Sequence, residues 1–501
     1  MNFIEAIKEK LNMTKTENGD LAHKTSGSAC LDLFSLCGAM RRNIGDLNAL
    51  FAKAYAENPI LALKILFYMR NIRGGLGERN AFRVVLKNLA DFYPKVARQV
   101  LYAVSEYGRW DDLLCLLQTS VKDDVLSIIK TQLEKDTAAL EKGADVSLLG
   151  KWLPSVNASS KQTVKNATIL MRALGMRAGE YRKLCTALRA KIKIIEDNLR
   201  RKDYTFDYSL QPSQAMLKYK KAFLRNDSER YTAFLQKVVA NAGKKGDDGT
   251  KLNASTLYPY QIVAPFYCGS NLRALSEAES LPLEASWLSL NRSSFASKTI
   301  VVRDGSGSMY WTPNAEAATI ATSLSLLFAE QLEGAFKNSF ITFSAEPKLV
   351  QIPENADTLQ KKLAFLSNYY DASNTDIAKV YQLILDIAKS RHVPKDEMIE
   401  RVLIVSDMEF DCIGKNESTF DFYKRKFAAF GYKMPELVFW NVEARNVHLP
   451  VTQNEQGVKL VSGSSTNIFA DVLSGDLKVV TPYEFMLKML EPYAEFDSVV
   501  A

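Results

Sequence analysis

The chain has 501 residues, more than the roughly 250–300 over which a single core keeps growing, so two or more domains are expected. Its 47% apolar and 24% charged residues are those of an ordinary globular protein and exclude disorder on a large scale; no run approaches the ~18 apolar residues of a membrane span. Lys and Arg outnumber Asp and Glu 45 to 30 in residues 1–300, whereas acids lead 27 to 19 in 301–501, so the net charge of +7 hides a basic part suited to a polyanion and an acidic part.

Met1-Asn2-Phe3-Ile4-Glu5 carries an early acid and an amphipathic pattern rather than a signal peptide. The six cysteines (30, 37, 115, 185, 268 and 412) contain no Cys-x-x-Cys pair, so a reducing, cytoplasmic setting is expected, without a disulfide framework or zinc site. His23, His392 and His448 lie beside no motif serine, which leaves Ser/His/Asp hydrolysis without a base; each is expected at the surface or in a cap.

From about Gly45 to Asn241 the pattern is helix after helix. Asp46 can cap a helix running to Glu57, and Pro59 suits the first turn of the next, which reaches Arg70. Helices resume through Ala81–Ala90, Pro94–Tyr107, Trp110–Leu117 and Val121–Lys142. Short helices with Gly, Pro and Asp punctuation suggest a HEAT-like α-solenoid over residues 1–255. The glycines of Arg73-Gly74-Gly75-Leu76-Gly77-Glu78-Arg79 follow a helix and lack a Gly-Lys-Ser/Thr, so they predict a helix end and tight turn rather than a phosphate loop. Arg70, Arg73, Arg79 and Arg83 would form either a basic ridge or a solvated face.

Residues 161–202 hold twelve Lys or Arg against three acids. Ala178 to Arg201 reads as one long helix with Leu184, Leu188, Ile192, Ile195 and Leu199 towards a core. Arg182, Arg189, Lys193 and Arg200 fall away from that stripe, and with Arg172 and Arg177 they could match several phosphates along one face. A merely soluble helix exterior is the plain alternative. Tyr204, Phe206, Tyr208, Tyr219, Phe223 and Tyr231 could stack on bases, but packing is the commoner use of such residues. Asn241 to Thr250 is a linker or exposed loop, and 256–297 is a connecting segment belonging clearly to neither side.

From residue 298 the pattern changes to strands alternating with helices, the mark of a mostly parallel, doubly wound α/β sheet. Strands are expected at Thr299–Val302, Ser339–Phe343, Val402–Val405, Leu437–Trp440 and Lys459–Ser462, with Lys348–Ile352 as an antiparallel edge. Helices are expected at Asn314–Glu333, Leu359–Leu366, Asp376–Arg391, Phe420–Phe430, Asn467–Leu473 and Pro482–Leu490. The first strand runs into Asp304-Gly305-Ser306-Gly307-Ser308. A carboxylate and two hydroxyls on a tight loop are hard oxygen donors, suited to magnesium, manganese or calcium rather than zinc. Three oxygens do not fill an octahedron, and the loop at Thr375-Asp376 and the strand ending in Asp407 are the further candidates. Glu409, Asp411 and Asp371 add acid nearby; they could bind a second cation, but rim charges with no ligand role are the expectation.

Asp-x-Ser-x-Ser, then a loop Thr, then a strand-end Asp, resembles the metal-ion-dependent adhesion site (MIDAS) of von Willebrand factor A domains, over residues 298–501. The resemblance implies that Ser306, Ser308 and Thr375 approach a divalent metal, held directly or through water by Asp304 and Asp407, with a position open for an acidic group on a partner. Asn374 stands where that family often has Gly. A helical-repeat part followed by such a domain resembles the Ro autoantigen (TROVE) family, more closely its bacterial and viral relatives, through Arg73-Gly74-Gly75-x-Gly77-Glu78-Arg79, Trp152-Leu153-Pro154-Ser155 and Ser406-Asp407-Met408-Glu409. That kinship implies a ring of helical repeats whose basic exterior binds small structured RNA and whose hole takes single-stranded RNA ends. The expected function is a non-enzymatic, cytoplasmic RNA-binding protein with a metal site for an acidic ligand. The alternative is a metal-dependent protein–protein adaptor without RNA. A metal-dependent phosphohydrolase ranks behind both, because no general base is evident beside the motif.

Overall fold

The computed structural model describes residues 7, 10–19, 21–242, 251–254, 256–290, 298–370, 376–410, 419–473 and 480–500. They divide into two compact units, one made of residues 1–57 and 208–492, the other of residues 58–207 and 493–501. Each unit thus joins two stretches that are far apart in the chain, whereas the sequence segments 1–255, 256–297 and 298–501 are contiguous.

The first unit is built on a six-stranded sheet. Its strands are Thr299–Asp304, Ser339–Phe343, Leu349–Gln351, Arg401–Ser406, Glu436–Asn441 and Val458–Ser462, lying in the order 3-2-1-4-5-6 counted along the chain. All neighbours pair in parallel except Leu349–Gln351, which runs antiparallel at one edge. The β-branched run Thr299-Ile300-Val301-Val302 is buried throughout, as a strand covered on both faces demands. The helix Glu316–Gln331 packs on the three central strands. It starts two residues later than the sequence pattern implies, because Asn314 and Ala315 sit in the left-handed region at φ 58° and 51°. Asn467 and Ile468 likewise precede the helix Phe469–Leu473.

The strands occur where the alternation places them, but the segments covering them were not legible. Helix Ala29–Leu36 packs on strand Val458–Ser462, and the ribbon Met13–Lys15/Leu21–His23 joins the sheet unit through paired His23 and Leu449 backbones. Asp46 stands in the first turn of helix Ile44–Glu57 rather than at its cap. Gly38 lets the N-terminal chain approach the sheet: its N–H donates to Ser462 Oγ at 3.0 Å, and a Cβ there would lie 2.8 Å from the Ser462 carbonyl. Gly38→Ala should therefore cost about 1–3 kcal/mol, the range for forcing atoms into a packed core, measurable as a lower midpoint in urea.

Residues 208–290 also belong with the sheet. Helix Pro259–Val263 packs on Glu316–Gln331, and helix Glu277–Leu288 is tied down by Trp287 Nε1 donating to Glu330 (3.0 Å) and Glu284 accepting from the Leu359 N–H (2.7 Å). Tyr208, Phe223 and Tyr231 form one buried cluster with centroids 4.9–5.3 Å apart, so these three are core rather than a base-stacking platform.

The second unit is helical. Helices Pro59–Arg70, Arg79–Phe92 and Pro94–Tyr107, the 3₁₀ turn Trp110–Leu116 and helix Lys122–Glu141 pack on their sequence neighbours. The chain's last residues return here, Phe496 stacking on Phe67 at 4.4 Å and Tyr493 on Tyr107 at 5.3 Å. Gly75 makes the expected turn, since a Cβ would strike the Tyr68 carbonyl oxygen. The long helix expected over 178–201 is instead two, Ala178–Ile192 and Ile195–Arg201, broken at Lys193 with φ 56°. Ile192, Ile194 and Ile195 are three β-branched residues in four, which weakens helix continuation at that point. No helix among the described residues is long and apolar enough to cross a membrane.

Candidate metal centre

Strands Thr299–Asp304 and Arg401–Ser406 are the pair at which the strand order reverses, and in open α/β sheets the crevice beyond the carboxyl ends of such strands is where ligands bind. Asp304 ends the first strand and Asp407 follows the second. Both are buried, at 1% and 4% exposure. The Asp304 carboxylate accepts from the Ser306 N–H (2.8 Å) and from Ser406 Oγ (2.6 Å). Ser306 Oγ and Ser308 Oγ lie 3.0 Å apart, with the Ser308 hydroxyl on the side of Asp407. Four of the five metal ligands implied by the sequence therefore converge. Thr375 lies outside the described residues, as do Asp371 and Asp411. Asp376 is spent as an N-cap, accepting from the Ala378 N–H at 2.9 Å.

The electrostatics suit a cation. Burial pushes the Asp304 carboxyl up, opposed by its hydrogen bonds to Ser406 and Ser306 and by the Arg303 charge. Burial, then the charge of Asp304, push Asp407 up to about 7. Two buried carboxylates that repel each other favour a cation, a role that Arg303 and Arg445 fill only in part, since the Asp407 carboxyl stays raised beside them. No group of three or more His, Cys, Asp and Glu side chains among the described residues could hold a metal unaided. A cation here would thus rely on the serine hydroxyls together with Asp304 and Asp407, a hard-oxygen set that fits Mg²⁺, Mn²⁺ or Ca²⁺.

Three further participants complete the site, of which Ser406 alone lies in a motif of the sequence, Ser406-Asp407-Met408-Glu409. Ser406 orients Asp304. Arg445, in the loop after strand Glu436–Asn441, reaches Asp407 at 3.0 Å and Glu17 at 3.0 Å. The turn at residues 16–18 lies over the next stretch: Thr16 Oγ1 donates to the Phe410 carbonyl (2.5 Å), and the Glu17 N–H donates to Glu409 (2.7 Å). Glu409 is therefore a buried acceptor rather than the expected rim charge, and His448, expected at the surface, is buried beside it at 3.7 Å. Of the other histidines, His392 follows a helix end at φ 49°, in keeping with a cap role. Beside the metal loop Trp311 is 76% exposed, with the Arg445 guanidinium 5.8 Å from its ring. Tyr370, 51% exposed, packs edge-on against Tyr310.

The basic residues of the helical unit separate into two kinds. Arg172, Arg177, Arg182 and Lys193 are exposed. Arg189 instead donates to the Gly150 and Leu153 carbonyls at 3.1 and 2.7 Å, bracing the Trp152–Ser155 turn; Arg200 is exposed like the others but pairs with Asp197 at 2.8 Å. Around that turn Tyr181 donates to the Pro154 carbonyl (2.9 Å) and Arg109 lies 4.8 Å over the Trp152 ring, so the motif acts as a packing hub. The four arginines of the supposed ridge are partnered within the fold, although Arg73 and Arg79 stay exposed. Arg70 is buried against Asp112, Arg83 reaches Asp111 and Asp112, Arg79 reaches Asp111, and Arg73 donates to the Glu106 carbonyl.

Comparison with known proteins gives matches along nearly the whole chain. Uncharacterized protein L728 of Acanthamoeba polyphaga mimivirus is 28% identical, over 96% of this chain and 88% of its own. The crystal structure of the Deinococcus radiodurans RO (RSR) protein aligns with 88% of this chain and 93% of its own, at 13% identity and a TM-score of 0.46. Residues 16–132 and 160–290 match the Domain of unknown function (DUF2828), and residues 298–485 match the Domain of unknown function (DUF7788).

Proposed function

We propose that this chain is a non-enzymatic, cytoplasmic RNA-binding protein of Ro-like organisation, whose sheet unit is a von Willebrand factor A-like domain. That domain holds a hard divalent cation, Mg²⁺ or in its place Mn²⁺ or Ca²⁺, through Asp304, Ser306, Ser308 and Asp407, with Thr375 as the fifth ligand. The metal supplies an electrophilic position for a carboxylate of a partner. The observation that carries the reading is the convergence of Asp304 and Asp407 at the reversal point of the sheet, with Ser306 and Ser308 between them.

The RNA half rests on the basic surplus of residues 1–300, the exposed cations of 161–202 and short motifs that resemble those of bacterial and viral relatives of the Ro family. Arg172, Arg177 and Arg182 are the cations to test, because removing Arg189 would also unbrace the Trp152 turn. Replacing the three by Gln should weaken binding of small structured RNA at least tenfold. It should also flatten the dependence of log K on log salt by about two to three between roughly 50 and 200 mM. Undiminished binding in a mobility-shift titration would remove this surface from the reading.

The adaptor alternative draws on Trp311. An exposed indole beside a carboxylate-binding metal suits a protein ligand with an acid next to an apolar residue. The ultraviolet absorbance ratio of the purified protein separates the two readings: co-purifying nucleic acid favours the first, and a protein partner lost on Trp311→Ala, with no nucleic acid present, favours the second.

A further inference from the structure

The sheet unit contains a second concentration of charge, made of cations. Lys220 and Lys221, on helix Ser213–Asn226, and Arg273, just after the ribbon at residues 267–272, line a cavity of about 320 Å³. Its apolar wall is Leu224, Leu275, Leu283 and Pro265. Among the described residues that line it the one carboxylate is Glu279, which already closes the N-terminus of helix Glu277–Leu288 through Ser276 and stands 3.5 Å from Arg273. Three cations against one carboxylate leave a surplus of two positive charges.

Lys220 is the telling member. It is half-buried, and among the described residues its hydrogen-bond partner is a backbone carbonyl, that of Leu217 at 3.1 Å. Burial, and then the charge of Lys221, hold its ammonium below the usual lysine range. A lysine kept partly dry beside a like charge destabilises the fold unless an anion compensates it, and perturbed groups of this kind concentrate in ligand clefts.

We propose that this cavity binds a phosphomonoester carrying a compact apolar body. A phosphomonoester bears about −1.5 to −2 charges near pH 7, which matches the surplus of two, whereas a carboxylate or phosphodiester would leave a cation uncompensated. The volume exceeds what a phosphate alone fills, and the leucine and proline wall suits the rest of the molecule. The cavity is distinct from the metal centre and does not depend on that reading. The same chemistry is offered by a small phosphorylated metabolite and by the terminal phosphate of a nucleic acid.

The test is calorimetric titration of the full chain with phenyl phosphate, using phenol and inorganic phosphate as comparisons. Phenyl phosphate is expected to bind at least tenfold more tightly than either. Lys220→Met keeps the apolar stem without the charge. It should weaken phenyl phosphate at least tenfold while leaving the melting temperature without ligand unchanged or higher, an outcome that a lysine needed only for packing would not produce. Arg273→Gln, at an exposed position, should weaken binding at least threefold, and Asp304→Asn should leave it intact. A 5′-phosphorylated trinucleotide that displaces phenyl phosphate where its 5′-hydroxyl counterpart does not would support a nucleic-acid end as the source; failure of both to displace it would support a small metabolite. Absence of binding by the unaltered chain, unchanged binding by Lys220→Met, or loss of binding in Asp304→Asn would overturn the proposal.

Discussion

Asp304→Asn is expected to lower the affinity for Mn²⁺ or Mg²⁺ at least a hundredfold while leaving the cation-free protein no less stable than the unaltered chain. The asparagine oxygen can still accept from the Ser306 N–H, and its amide can donate to Ser406 Oγ by reversing the present 2.6 Å hydrogen bond. What disappears is one of two buried negative charges. Burial and mutual repulsion already disfavour that charge in the absence of a cation, so its removal relieves the fold rather than harming it. With a dication present, the same charge supplies much of the attraction. A hundredfold loss is about 2.7 kcal/mol, a modest demand on one carboxylate in a site of low dielectric. The measurement is a Mn²⁺ titration followed by calorimetry or electron paramagnetic resonance, with melting curves in EDTA. Ser406→Ala should give a smaller loss, because Ser406 orients Asp304 without being counted as a ligand. Unchanged Mn²⁺ affinity in Asp304→Asn would show that any cation sits elsewhere and would end the metal reading.

The largest effect on stability is expected at Asp112. This carboxylate is 0% exposed and gathers the Arg70 Nε and Nη2 at 2.9 and 2.8 Å, the Arg83 Nε at 2.6 Å and the Arg109 N–H at 2.9 Å. Arg70 is itself 1% exposed. Gly108 leaves the space this arrangement needs, since a Cβ there would collide with Asp112 Oδ2 and lie 2.9 Å from Arg70 Nε. A buried ion pair need not stabilise more than a well-packed apolar pair would, because both charges were taken out of water. Removing one partner is different, because it strands the other. Asp112→Ala should therefore cost about 3–5 kcal/mol, read as a fall in the urea midpoint. Arg70→Met combined with Asp112→Leu should recover much of that loss. Additive losses in the double variant would show that the two charges do not act as a pair.

Most of the sheet was legible from local pattern. Strands 299–304, 401–406, 436–441 and 458–462 announce themselves as β-branched and apolar runs, because a strand buried on both faces needs apolar residues at consecutive positions. The Asp304–Ser308 turn and the Asp407 strand end were equally readable, since a switch-point site is built from residues at strand ends. Helix termini marked by a proline, such as Pro59 and Pro94, fall where the sequence puts them.

Which segments share a core was decided only by tertiary structure. The contacts of Gly38 with Ser462, Glu17 with Arg445 and Phe67 with Phe496 join residues some four hundred positions apart, and no periodicity records such a pairing. Charge was the other blind spot. Arg182 and Arg189 lie about two helical turns apart on one helix, yet one is exposed and the other braces a turn; Arg70 lies near Arg73 and Arg79 in the sequence and is buried. A sequence states how many charges a segment carries, but whether each faces water, a carbonyl or a carboxylate depends on what the rest of the chain brings beside it. The amino-acid order by itself determined the strands and the oxygen donors at their ends; the fold alone turned Ser406 onto Asp304 and brought Arg445 to Asp407.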